Sequence, residues 1–405
     1  MNNPVYLSKP GLVCCAGTSL ESFFGAALRG DRSGIVPVKL DSDGAAREFL
    51  IGRSPRTFLN AADAGKSQLL SLCAAALEQL RPVLSRAVQR WGTERIGLCL
   101  GSCDNGTEAS VPAHRAFFKS GAFPSSYALS LQGASCPAEF AAGLYDLKGP
   151  VFALSTACSS GASAIKMAAE LIRSGACDAV VSGGADIASD VSILGFYALE
   201  AISPELSNPF SKNRRGINLG DAAAFFVLSR EKIDDTSMVL SGYGESSDAH
   251  HMTAPHPEGK GAAMAMEAAL KSAGIGPGSI AYVNLHGTGT VLNDKAEAQA
   301  MYTVFGSAQP PASSTKPVTG HTLGAAGALE LALCWGVLEN AGRETRESGR
   351  LPVHCWDGEE DNELPILNLV KPTLALKEKI RYCMSNSFAF GGCNVSLILG
   401  REENG

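Results

Sequence analysis

Cys158 is the residue of this chain best placed to act as a nucleophile. It lies in Ser155-Thr156-Ala157-Cys158-Ser159-Ser160-Gly161, between an apolar run at 151–154, long enough for one buried strand, and a helix-like stretch at 164–172. A strand that hands over to a helix through small residues leaves a sulfur open to an electrophile. Free amides at the helix start favour the thiolate. A buried structural cysteine is the competing reading, because the chain has 12 cysteines. Three further blocks weigh against that. His286-Gly287-Thr288-Gly289-Thr290 follows an apolar strand. Ser314-Thr315-Lys316-Pro317-Val318-Thr319-Gly320-His321 opens onto a helix near Gly324. Asn386 to Asn394 contains Phe388-Ala389-Phe390-Gly391-Gly392. A single histidine is more often structural, but two, each beside glycine at an element end, can project rings into one cavity with the thiol and a lysine. His250, His251 and His256 lack a regular face and are interrupted by Pro255, so no metal site is expected. Gly183-Gly184-Ala185 is not a dinucleotide fingerprint.

The elements that must carry these groups alternate between strand and helix. In the 405 residues, 45% are hydrophobic and 18% charged, which suits sheets covered by helices on both faces. The net charge of −6 gives no reason to expect nucleic acid or an anionic membrane as partner. Neither a secretory leader nor an apolar run of membrane-spanning length is apparent. Irregularly spaced cysteines with no CxxC pair point to reduced cytoplasmic thiols rather than a disulfide framework or structural zinc. Strands are expected at 5–7, 12–15, 96–102, 151–154, 179–184 and 222–228, with a helix starting near Thr18 or Ser19 and one long helix over 67–90. The charged stretch 231–236 divides the chain into halves, 1–235 with the cysteine and 236–405 with the histidines and lysine. The second half repeats the alternation, with strands at 237–242, 281–285 and 381–385 and helices at 261–273 and 325–338. Its last strand and turn resemble those that carry Cys158, which suggests two similar α/β units sharing a site. Residues 343–363 read as a solvated polar excursion.

Taken together, the cysteine block, HGTGT, STKPVTGH and FAFGG, in that order, resemble the elongating β-ketoacyl-[acyl carrier protein] synthases of the thiolase superfamily. The similarity runs from the first strand to Asn394. The resemblance implies a thiolase-like, five-layered αβαβα fold with mixed sheets, usually as a dimer. It makes Cys158 the nucleophile that takes an acyl group from carrier-protein phosphopantetheine. His286 and His321 would stabilise the enolate left by malonyl decarboxylation as neutral N–H donors. Lys316 would support them, acting through His321 and its neighbours, and Glu297 would be the carboxylate that holds the lysine. The amides of Cys158 and Phe390 would form the oxyanion hole. Thr288 and Thr290 would bind the pantetheine amides, Phe390 would gate the cysteine, and Phe196 and Asp104 would line the acyl pocket, whereas Phe388 reads as core packing. No cofactor or metal of its own is implied, since phosphopantetheine arrives on the acyl carrier protein.

The chain departs from the family pattern in places. Arg214-Arg215-Gly216-Ile217 has a second arginine where relatives have aspartate, which puts that loop's salt links in question. Cys393 stands where threonine is common. Asp104 stands where an apolar residue is common, so it either serves a subunit interface or faces an acyl chain that is not plainly saturated. A tunnel-shaping partner subunit and a coenzyme A thiolase are the alternative functions. The first usually loses the cysteine, the second lacks the Lys316-to-His321 block, and a chain-starting synthase would have asparagine in place of His321. Fatty acid, polyketide and polyene pathways, and homodimer and heterodimer, are equally compatible with the sequence.

Overall fold

The computed structural model describes residues 4–42, 45–55, 67–104, 106–341, 349–372, 374–376 and 380–402. The first half contains β1 (Tyr6–Leu7), β2 (Gly11–Cys14), α1 (Leu20–Arg29), a hairpin of β3 (Ile35–Ser42) and β4 (Ala45–Gly52), α2 (Gln68–Glu78), α3 (Arg81–Trp91) and β5 (Ile96–Gly101). It continues with α4 (Thr107–Ser120), α5 (Cys136–Leu144), β6 (Val151–Leu154), α6 (Ser160–Arg173), β7 (Ala179–Asp186), α7 (Asp190–Ala198) and β8 (Ala222–Ser229). The second half has β9 (Met238–Ser247), α8 (Lys260–Ala273), β10 (Ile280–Asn284), α9 (Val291–Phe305) and β11 (Ala312–Ser313). It ends with α10 (Lys316–Thr319), α11 (Ala326–Ala341), β12 (Tyr382–Phe388) and β13 (Cys393–Gly400).

The two halves share one strand plan. In the first the order is β2-β8-β7-β5-β6, antiparallel for two pairs and parallel for two. In the second it is β9-β13-β12-β10-β11 with the same senses in the same order. The switch falls between Ser229 and Met238. β1 pairs antiparallel with both β8 and β9 and joins the two sheets into one ladder. This plan corrects the expected repeat. The counterpart of β6, which precedes Cys158, is β11, and β12 corresponds to β7. Similar local sequence had matched the wrong strands, because pairing rather than strand-and-turn composition defines equivalence.

Helices cover and separate the sheets in five layers. α6 and α11 form the middle layer, packed against strands of both halves. α2, α3 and α5 cover the outer face of the first sheet, and α8 and α9 that of the second. A helix between two sheets has no wet face, which explains why residues 326–338 of α11 are all buried. Ser19 caps α1 with a reciprocal capping box.

Three further expectations change. The 67–90 stretch is two helices, because Pro82 lies in the first turn of α3 and its ring would clash with a continuing helix. β6 is an edge strand rather than a buried one, with Val151 38% and Phe152 41% exposed. The polar excursion is not wholly solvated. Of its described part, Leu351, Val353 and His354 are buried, and the His354 ring bonds the Ser314 amide and the Pro209 carbonyl.

Candidate active site

Small residues bring the two central turns together. A Cβ at Gly327 would lie 2.8 Å from that of Ala162, and one at Gly161 would lie 2.7 Å from the Gly324 carbonyl oxygen. Glycine at these positions therefore lets α6 and α11 touch at their N-terminal ends. The turn into each helix contains a non-glycine residue in the left-handed region, Ala157 at φ 52° and Leu323 at φ 49°. Cys158 follows the first strained residue, and His321 precedes the second by two.

The sulfur and the rings meet there. His321 Nε2 is 3.1 Å from Cys158 Sγ, and the His286 and His321 ring centres are 5.5 Å apart, nearly perpendicular. All three side chains are buried. The His321 Nδ1 accepts from the Leu323 amide at 3.3 Å, and the His286 Nδ1 lies 3.3 Å from the Lys316 ammonium. A neutral ring that accepts at Nδ1 carries its proton on Nε2. Both imidazoles therefore offer N–H groups to the cavity. Burial, and then the Lys316 charge, hold both rings well below the usual histidine range, so they are neutral. One ring nitrogen from each histidine and the sulfur lie within 4.8 Å of one another, a spacing a metal could bridge. With both Nδ1 atoms engaged, however, the cluster presents donors, which suits an oxyanion rather than a cation.

Lys316 is buried at the start of α10, where it bonds His286 Nδ1, the His286 carbonyl and Glu330 Oε1, the last at 2.5 Å. The lysine's carboxylate is thus Glu330, not Glu297, and its hydrogen-bonded ring is that of His286, not His321. Glu297 instead accepts the amides of His286 (2.8 Å) and Gly287 (2.7 Å), fixing the turn after β10. Burial raises both carboxylic acids to about 7, offset at Glu297 first by the two amides and at Glu330 by Lys316. Sequence reasoning missed Glu330, although there was a signal. It is the one charged residue within the apolar run 325–338, and a buried carboxylate needs a partner.

Two regions of the beta-ketoacyl synthase family match this chain, the N-terminal domain over residues 28–233 and the C-terminal domain over 237–342. The chain belongs to the β-ketoacyl synthase family. The synthase is 33% identical to the 3-oxoacyl-[acyl-carrier-protein] synthase 2 of Vibrio cholerae, over 98% of this chain and 99% of the relative. It superposes on a chain of the structure of the ketosynthase ApeO in complex with its chain length factor ApeC from Xenorhabdus doucetiae, with a TM-score of 0.89. Identity there is 37%, covering 99% of this chain and 98% of the other. It is also similar to the ishigamide ketosynthase/chain length factor, at 27% identity and a TM-score of 0.84, over 99% and 100% of the chains. It is a condensing acyltransferase of fatty acid or polyketide synthesis.

The synthase's reacting groups face a tight cavity with room for about one water, walled by Phe196, Ile217, Thr288, Phe388 and Phe390 among others. A wider hollow of ≈ 320 Å³ adjoins it and shares Ala201, Thr290, Asn293 and Phe390. Phe390 therefore stands between the two. Its ring is 5.8 Å from that of Phe196, and its amide bonds the Cys158 sulfur. Gly391 and Gly392 behind it are both left-handed, and the Gly391 amide donates to the Met252 carbonyl at 2.8 Å. Thr288 and Thr290 face each other with hydroxyls 3.0 Å apart, and the Asn293 amide donates to Thr290 at 2.7 Å.

Burial overrides the expected ease of ionisation at Cys158. Lys316 and the Phe390 amide pull the thiol down, but desolvation wins and pushes it up to about 11. Asp104 does not line the cavity. It is buried, and it accepts from the Thr107 amide (3.1 Å) and hydroxyl (2.5 Å) at the start of α4, so its charge is engaged locally. Phe196 is a cavity wall, and Phe388 both lines the cavity and packs in the second half's outer core. Arg214 bonds Asp361 at 2.5 Å and the Ser211 carbonyl at 2.8 Å, which supplies the salt link in question, whereas Arg215 is exposed. His251 and His256 each use Nδ1 to accept a nearby backbone amide.

Proposed function

We propose that this synthase elongates an acyl chain by decarboxylative Claisen condensation with malonyl-[acyl carrier protein], using Cys158, His286 and His321. The Cys158 sulfur attacks the carbonyl of an acyl thioester while its proton passes to the departing pantetheine sulfur, so the acyl group becomes a thioester of Cys158 and a pantetheine thiol leaves. The malonyl thioester then binds with its carbonyl oxygen between the two Nε2–H groups. Carbon dioxide leaves, and the electron pair is held as an enolate on those donors. The enolate carbon attacks the Cys158 thioester, its oxyanion meeting the amides of Cys158 and Phe390, and the Cys158 sulfur is expelled as the 3-oxoacyl product forms. Lys316, neutralised by Glu330, keeps the His286 proton on Nε2, and Glu297 holds the His286 backbone. Thr288 and Thr290 would receive the pantetheine arm, which the carrier protein supplies.

The observation that carries this reading is the pair of neutral imidazoles, both turned N–H inward beside the thiol, with His321 Nε2 3.1 Å from it. A partner subunit would need none of it. The test is mass analysis of the protein after mixing with acyl-carrier protein, together with carbon dioxide release from malonyl-carrier protein. The wild type should gain one acyl group at Cys158 and Cys158→Ala none. His321→Ala should still acylate yet lose decarboxylation by a hundredfold or more, the scale of one lost oxyanion donor. Acylation of Cys393 or Cys103 instead of Cys158 would overturn the assignment.

A heterodimer with a related, chain-length-determining subunit is the favoured assembly. It is supported by the exposed outer edge of β6 and by exposed Phe118 and Leu129, whose turn packs on α5 beside β6. Similarity to ketosynthases solved with chain length factors supports it too. Among the described residues no helix is long and apolar enough to cross a membrane. Twelve unpaired cysteines support a reducing, cytoplasmic setting.

A further inference from the structure

Asp186 ends β7 and is completely buried, yet none of the steps above uses it. Its carboxylate accepts four groups from outside its own strand. Three belong to the turn after β5: the Ser102 hydroxyl (3.0 Å) and the amides of Cys103 (2.9 Å) and Asp104 (2.9 Å). That turn runs beside the nucleophile, because the Cys103 thiol donates to the Ala157 carbonyl at 3.1 Å. Cys103 also packs in a cluster with Phe196 and Ile217, two walls of the Cys158 cavity. The fourth group is the Gly324 amide at 2.6 Å. Gly324 follows Leu323, whose amide fixes the His321 ring. There is no slack at this junction, since a Cβ at Gly324 would lie 2.6 Å from Asp186 Oδ2.

We propose that Asp186 is a positioning residue that locks the acyl-side turn, Ser102 to Asp104, to the Leu323-Gly324 turn that seats His321. The acylated sulfur and the enolate-binding ring then stay in register while the carbon–carbon bond forms. This rests on the roles of Cys158 and His321 given above. An ionised acceptor suits the task, because charge-assisted bonds are the stronger kind and one carboxylate can serve donors from both halves at once. The same charge bears on the sulfur, adding to the effect of burial in keeping Cys158 protonated. The other ionisable groups that face Asp186 are Cys73 from α2 and Cys103 and Asp104 from the turn after β5.

Two variants disturb the lock from opposite sides. Asp186→Asn removes the charge, and Gly324→Ala pushes the two turns apart with the charge in place. Each is assayed for carbon dioxide release from malonyl-carrier protein and for the pH profile of Cys158 alkylation by iodoacetamide. Both should lower the decarboxylation kcat on the order of ten- to a hundredfold with KM little changed, as expected for a misplacement of up to an ångström. Only Asp186→Asn should also move the alkylation midpoint, downward by roughly one pH unit, because a like charge has gone. A wild-type kcat in either folded variant overturns the proposal. So does a loss of kcat in Asp186→Asn with the alkylation profile unmoved, the mark of general loosening. If Asp186→Asn does not fold, the kcat of Gly324→Ala decides alone. A wild type that releases no carbon dioxide refutes the roles of Cys158 and His321, and the lock with them.

Discussion

Lys316 shows how one buried charge can organise a site without touching the reacting atoms. Its ammonium, paired with Glu330, sets the His286 proton on the nitrogen that faces the cavity. Removing one partner of such a pair leaves an uncompensated buried charge, whereas removing both with apolar replacements of similar volume does not. Glu330→Gln should therefore lose about 3–5 kcal/mol of unfolding free energy in denaturant titration. The double variant Lys316→Met/Glu330→Leu should recover most of that stability. Decarboxylation should stay low in the double variant, since His286 has lost its Nδ1 donor. A double variant as active as the wild type would show that the pair serves stability alone.

The β10–α9 connection depends on a carboxylate in a comparable way. Glu297, on the second turn of α9, ties down the amides of His286 and Gly287. Its folded acid lies near 7, above the ordinary glutamate value, so between about 4.5 and 7 the native state holds a proton the unfolded chain has released. The stability linked to this group is thus fully present below about 4.5 and is lost as pH rises through 7. Glu297→Gln should remove that dependence. From pH 5 to 8 the wild type's stability relative to the variant should fall, by at most about 3 kcal/mol. A difference between the two that is flat in pH would mean that the carboxylate is ionised throughout. Element ends were the most legible part of the sequence, because His286, His321 and Phe390 each sit beside glycine at the end of an element. Partners were less legible. Glu297 and Glu330 are both carboxylates on helices near the site, and spacing along the chain does not say which one meets the lysine. The apolar run of β6 likewise revealed a strand but not that its outer edge lacks a neighbour among the described residues. Family resemblance puts Asp104 in the acyl pocket, whereas its hydrogen bonds to Thr107 tie it to the turn it caps, a partnership the resemblance does not carry.

For the molecule as a whole, the repeated strand plan places the site on the seam between the halves, with the nucleophile contributed by one and the imidazoles by the other. Five layers leave little surface for the site to move against, so the exposed edge of β6 is where assembly can reach it. Phe152→Glu, a charge on that edge, should weaken subunit pairing tenfold or more, about 1.4 kcal/mol, as read by sedimentation at several concentrations. Unchanged sedimentation would put the partner elsewhere. The two-residue strand β1 carries a further consequence, for the order of events as the chain is made. Tyr6 and Leu7 emerge from the ribosome long before their pairing partners at Leu228, Ser229, Met238 and Val239. The sheet that joins the halves cannot close until the chain has been made through Val239. The thiol at Cys158 emerges well before His286, His321 and Phe390, so the nascent enzyme carries its nucleophile unshielded until those residues have followed it.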